Sequence, residues 1–260
     1  MINNYPDETV DGYARRVLAE RLVRQSTVRS YLQTLRLLLL SDVKVCDVTL
    51  PMLHERLLSV TNMNTRRKHT VALRSVFRDL VPGITALKIP KAIPRIYTLP
   101  TEGEIRFALT FCPYEFYALL MMYAGLRVGE ACAVEPRDLR GNILKVHRQR
   151  DETGELVLAK TQGEVVIPGW LAERVRNHIP TVVTPGAVRE SMRRYGLKAG
   201  IDLSPHMLRH WYCTRMVNKR INPEIARRQM RHADLKTTLG YYAQVAKSDI
   251  DDVVSDLFDE

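Results

Sequence analysis

Apolar positions recur along most of the chain with a period near that of an α-helix. Across residues 11–40 they fall at Tyr13, Val17, Leu18, Leu22, Val28, Tyr31, Leu32, Leu35, Leu38 and Leu39, which predicts two amphipathic helices. Gln25-Ser26-Thr27 marks the break between them, with Ser26 as the N-cap. Thr49-Leu50-Pro51 opens a third helix, running to about Val60, with its proline in the first turn. A fourth, from about Asn64 to Leu80, carries Thr65, Arg66, Arg67, Lys68, Arg74 and Arg78 on its polar side and stops at Val81-Pro82-Gly83. Residues 84–100 contain Pro90, Pro94 and Pro100 among Lys88, Lys91 and Arg95. Such a stretch cannot be a helix interior, so it reads as an extended basic linker suited to a phosphate backbone.

The pattern changes after Pro100. Thr101-Glu102-Gly103-Glu104 has the form of a capping box. Residues 116–123 are apolar on every side, as in a buried helix. Residues 142–147, 156–160 and 164–168 read as three short strands, with turns at 151–154 and 161–163. Helical periodicity resumes at Trp170 and continues to the end. The expected fold is therefore mainly α with a small antiparallel β-sheet in the C-terminal domain, an α+β class. The expected boundaries are a helical domain over 1–83, a linker over 84–100, a second domain over 101–247 and a tail over 248–260.

At 260 residues two domains are the prior. No apolar run approaches the roughly 20 residues that span a bilayer. The N-terminal segment lacks the basic and apolar regions of a signal peptide, and Cys46, Cys112, Cys132 and Cys213 form no CxxC pair. A cytoplasmic location is expected. The net charge of +10 is unevenly shared. Residues 1–95 hold 16 Lys/Arg against 8 Asp/Glu, residues 96–247 hold 23 against 15, and 248–260 hold none against 6. Two basic bodies suit a polyanion such as DNA, whereas a dimerisation domain with solvated arginines is the plainer reading of the first. The acidic tail, with Ile250, Val253, Val254 and Leu257 at helical spacing, suits docking on protein.

Candidate chemistry concentrates between Ala124 and Val245. Gly125 and Gly129 flank Arg127, which marks a fixed turn, and Glu130 can hold Arg127 or the neighbouring backbone. Lys160 stands in Ala159-Lys160-Thr161-Gln162-Gly163, read as a hairpin tip. His206 and Arg209 are three apart and share a helix face. His232 follows, and Tyr241 and Tyr242 come nine and ten residues after it. Each residue has a plain reading as well: a surface arginine, a turn lysine, structural histidines. His206 and His210 also form an H-x-x-x-H pair, but Met207 stands where a zinc protease needs glutamate, and no third ligand is evident. His210 reads as packing beside Trp211 and Tyr212.

In this order and spacing the residues resemble the tyrosine recombinases, the family of phage integrases and Xer-type resolvases. The resemblance is close beyond residue 100 and loose before it. It implies a helical core-binding domain followed by a catalytic domain, closing on DNA as a C-shaped clamp. Arg127 and Arg209 would clamp the scissile phosphate, with His206 assisting deprotonation and His232 bonding the phosphate or orienting the tyrosine segment. Lys160 would protonate the departing 5′ oxygen, with Lys145 as the fallback, because Glu164-Val165 stands where the family often has arginine. Helical neighbours diverge by ~100°, so only one of the tyrosine pair can face the phosphate. Ala243-Gln244-Val245 resembles the family's Tyr-Ala-His-Val ending, which favours Tyr242 as nucleophile and leaves Tyr241 as the alternative.

The function so implied is site-specific recombination through a 3′-phosphotyrosyl intermediate and a Holliday junction, serving phage or mobile-element integration. Neither metal, ATP nor cofactor would be needed. The expected partners are double-stranded DNA core sites, a homotetramer on two duplexes and an accessory DNA-bending or directionality factor, in a nucleoid-associated setting. The rival readings are type IB topoisomerase-like relaxation and a non-catalytic DNA-binding regulator.

Overall fold

The computed structural model describes residues 7–93 and 99–248. The chain divides into two compact units, Met1–Arg95 and Ile96–Glu260.

Four helices build the first unit: α1 Val10–Glu20, α2 Gln25–Leu37, α3 Leu50–Leu58 and α4 Met63–Val76. Three begin on side-chain caps, Thr9 accepting from the Gly12 N–H, Thr49 from Met52 and Asn62 from Thr65. α2 departs from expectation, starting at Gln25 with no side-chain cap and with Ser26 inside its first turn. The chain reverses earlier, at Leu22, whose φ of 51° is left-handed. Leu39, at φ 54°, ends the same helix and returns Leu40 to the core. That core is Leu18, Leu35, Leu53, Leu73 and a stacked Tyr13–Phe77 pair with ring centroids 6.3 Å apart. Within it, Thr34 Oγ1 lies 3.0 Å from His69 Nδ1, both side chains buried.

The expected basic face is exposed at Arg67, Lys68 and Arg78, but Arg66 and the linker need correction. Arg66 Nε donates to the Val60 carbonyl (2.8 Å), so it closes the end of α3 rather than facing outward. Arg67 Nη1 donates to the Pro90 carbonyl (2.7 Å), and Asn64 exchanges two 3.0 Å hydrogen bonds with the backbone of Ile93. Ile84 and Leu87 are buried in the first core. Residues 84–93 are therefore packed on the first unit, because apolar side chains and backbone acceptors anchor them there. The remainder of the expected linker, 94–98, and the tail after Ser248 lie outside the described residues.

The second unit starts with the expected capping box, in which Thr101 Oγ1 accepts from Glu104 N–H and Glu104 Oε2 accepts from Thr101 N–H (2.7 Å). α5 Glu102–Leu109, α6 Glu115–Ala124 and the short α7 Val128–Ala131 lead to the sheet. Strands β1 Leu139–Arg140, β2 Ile143–Arg150 and β3 Leu156–Val166 pair antiparallel in that order. Helices α8 Gly169–Arg176, α9 Pro185–Lys198, α10 Pro205–Asn218, α11 Pro223–Met230 and α12 Leu235–Ser248 complete it. α6 sits at the centre, with Leu119, Leu120, Met121 and Met122 fully enclosed against α10 and its neighbours.

The sheet has three strands, but not the three expected. Segments 156–160 and 164–168 merge largely into β3, and β1 supplies the third strand. Residues 161–163 make no turn. The ladder pairs Val146 with Gly163 and Arg148 with Leu158, so four residues of β3, 159–162, stand opposite His147 alone. β3 bulges there and continues. Lys160 accordingly lies on a mid-strand bulge, and the hairpin tip is 151–155, where Asp151 Oδ1 accepts from the N–H of Thr153 and Glu155. Among the described residues no helix is long and apolar enough to cross a membrane.

Candidate active site

Arg127 is the N-cap residue of α7. Glu130, one turn on, accepts from its backbone N–H through Oε2 and from its Nη1 through Oε1, each at 2.8 Å. The carboxylate is fully enclosed, whereas the Arg127 side chain is 36% exposed. The guanidinium is thus held from behind and open in front. Gly129 makes this possible: a Cβ there would come 2.6 Å from the Arg150 carbonyl of β2.

Arg209, on α10, is buried. Its Nη1 donates to the Gly125 carbonyl and its Nη2 to the Met230 carbonyl (2.6 Å), tying the end of α6 to the end of α11. Gly125 has a left-handed φ of 62°, and a Cβ on it would meet Tyr212 at 2.8 Å and Met230 at 2.9 Å. Glycine is required there on both counts.

His232 is buried, with Nδ1 2.9 Å from the enclosed Thr238 Oγ1. Burial first, then Arg209, Arg127 and Arg231, push its imidazole down to about 4. It is neutral at physiological pH, and three guanidinium groups act on it. Arg227 Nη1 holds the His232 carbonyl at 3.0 Å. Arg231 went unnoticed in the sequence. It caps α11 at a left-handed φ of 50°, and its side chain is 2% exposed. Its Nη2 donates to Glu130 Oε2, while Nε and Nη1 are buried without hydrogen-bond partners among the described residues. Three guanidiniums against one carboxylate leave this cluster positive, which favours an anion.

The other expected residues are placed differently. His206 is exposed on the first turn of α10, behind the Ser204 N-cap. It acts on His210, whose imidazole is pushed down by burial chiefly and by His206 next. His210 packs inside, 3.2 Å from Thr214 Oγ1. Lys160 is exposed, and Lys145 pairs across the ladder with Glu164. Tyr242 is not brought to the arginines by its hydrogen bonding: its hydroxyl donates to the Ile221 carbonyl, between α10 and α11. Burial and then the Cys213 thiol raise its phenol above the usual value, the reverse of what a cationic setting does. The helix turn that carries it faces the α10–α11 junction, and the phenol follows. The side chain of Tyr241 lies outside the described residues. Among the described residues no group of three His, Cys, Asp or Glu is disposed to hold a metal ion.

A mainly helical unit with a small antiparallel sheet gathers arginines around a neutral histidine, which defines a class of site suited to an anion. The profile of the phage integrase family matches residues 91–249, and the chain belongs to that family. A tyrosine recombinase of Pseudothermotoga lettingae is 24% identical over 98% of this chain and 99% of its own. Tyrosine recombinase XerA of Pyrococcus furiosus is 27% identical over 62% of this chain and 61% of its own. Among solved structures, lambda integrase, as a dimer bound to a COC′ core site, is similar with a TM-score of 0.72 at 17% identity, over 93% of this chain and 79% of that one. The Tn1549 transposon integrase, in complex with circular intermediate DNA, gives 0.69 at 17% identity, over 95% and 100%. The fold is shared with theirs.

Proposed function

We propose that this tyrosine recombinase cuts and rejoins DNA at a specific site through a 3′-phosphotyrosyl intermediate, serving integration of a phage or other mobile element. The observation that carries the reading is the positive cluster of Arg127, Arg209 and Arg231 around a neutral His232. A phosphodiester repels nucleophiles, and its attacked state spreads charge over the non-bridging oxygens. Fixed guanidinium groups answer both problems, and loss of one such donor typically costs ~10²–10³ in rate.

In this mechanism Arg127 and Arg209 bind the non-bridging oxygens. His232 donates a hydrogen bond from a neutral ring, and His206 assists removal of the phenolic proton. Lys160, on its bulge, delivers a proton to the departing 5′ oxygen. The tyrosine–phosphate bond conserves the energy of the broken diester, so a 5′ hydroxyl from the partner duplex reverses the attack and neither ATP nor metal is consumed. The engagement of Tyr242 with Ile221 supports Tyr241 for the attack, with Tyr242 anchoring α12. The first unit serves as the core-binding domain, and the likeness to integrases solved in complex with DNA supports double-stranded DNA as the substrate. A tetramer on two duplexes, helped by an accessory factor, completes the exchange.

Covalent capture tests this reading. The full chain is incubated with nicked duplexes carrying a randomised central segment, and SDS-resistant adducts are recovered and sequenced. Adducts enriched for one sequence are expected. Adducts of random sequence, with relaxation of any supercoiled plasmid, would mean a topoisomerase; none at all would mean a non-catalytic DNA binder.

A further inference from the structure

Arg231 occupies a backbone position that glycine favours and a burial that apolar side chains favour. It follows α11 in the left-handed region, where a Cβ is strained. Its guanidinium is enclosed with one of its three nitrogens hydrogen-bonded, so it serves stability poorly compared with an apolar residue of the same size.

Its neighbourhood explains what it does serve. Nη2 donates to Glu130, the carboxylate that holds both the backbone and the guanidinium of Arg127. The aliphatic stem lies against Gly163 of β3, where an added Cβ would sit 3.2 Å from Arg231 Cδ. Two residues earlier, Gln229 pairs with both backbone groups of Val166 on the same strand. The preceding carbonyl, Met230, accepts from Arg209, and the following residue is His232. The end of α11 thereby touches Arg127 through Glu130, Arg209 through Met230, and the Lys160 bulge through Gly163.

We infer that Arg231 is a positioning residue for strand cleavage, fixing Arg127 through Glu130 while its stem props the Gly163 end of the bulge that bears Lys160. This rests on the recombinase reading. A buried ion pair of purely structural value would affect folding alone; a positioning residue affects the chemical step at unchanged DNA affinity.

The test uses the full chain and a nicked duplex recovered by wild-type covalent capture, with adduct formation followed in single turnover at saturating DNA. Arg231→Met is expected to slow the step by roughly 10- to 100-fold while DNA affinity stays within about threefold. Arg231→Lys, which keeps a cation toward Glu130, recovers part of the rate. Gly163→Ala is strained at its φ of 156° in any background and also presses on the pinned stem, so it is expected to slow cleavage several-fold in wild type and less in Arg231→Met, whose side chain no ion pair holds. Should Arg231→Met not fold, Arg231→Lys and Gly163→Ala carry the test through rate against affinity. Wild-type cleavage rates in Arg231→Met, or a Gly163→Ala effect identical in both backgrounds, overturn the proposal alone. A wild-type chain that forms no adduct overturns the recombinase reading, and this inference with it.

Discussion

His232 and Thr238 meet at 2.9 Å inside the second unit, joining the residue after α11 to the interior of α12. The contact engages Nδ1 and fixes the plane of the ring against α12.

That imidazole should make the protein acid-sensitive. Its folded pKa of about 4 lies below the usual 6.5, so the unfolded chain takes up a proton first as pH falls. Stability is present above pH 6.5 and is lost as pH falls toward 4, by about 2–3 kcal/mol from this residue at pH 4.5. His69, His178 and His210 are depressed too, so the difference between wild type and His232→Gln isolates the term. Urea unfolding at pH 7.5 and 4.5 should show a smaller pH loss in His232→Gln; equal losses would refute this.

Gly125 carries a sharper expectation. Gly125→Ala strains a left-handed φ and drives a methyl group into Tyr212 and Met230. Unfolding should cost about 2–4 kcal/mol less than in wild type. Because the Gly125 carbonyl also receives Arg209, the adduct-forming rate should fall even at temperatures where the variant is fully folded.

The tyrosine pair separates in one assay. Tyr241→Phe should form no adduct. Tyr242→Phe should still form one, more slowly, because only its hydrogen bond to Ile221 is lost. The reverse outcome would make Tyr242 the nucleophile and require α12 to turn before attack.

In the first unit, Thr34→Val should leave the His69 ring without its buried partner and destabilise by about 1–3 kcal/mol. Adding His69→Leu should recover much of that in urea unfolding, since no polar atom is then stranded.

What was legible in the sequence was local. The 3.6 period marked α1 to α4, and the Thr101–Glu104 capping box holds because its bonds lie within one turn. Gly125 and Gly129 announced close packing around Arg127, and Glu130 does hold both the side chain and the backbone. What was hidden depends on distant partners. Leu22 and Leu39 take left-handed conformations without a glycine to signal them. Thr161-Gln162-Gly163 has turn composition, yet pairing with β2 keeps it in a strand. Arg66 reads as solvent-facing charge, but the Val60 carbonyl draws it back, and nothing local signals the burial of Arg231 on Glu130.

The uneven ladder between β2 and β3 also bears on how this protein tolerates changes in chain length. With 159–162 opposite a single residue, a deletion or insertion inside the stretch shortens or lengthens the loop-out without flipping either flanking ladder onto its other face. Chains that differ in length at this point can thus share one sheet, the difference being taken up in the loop-out alone.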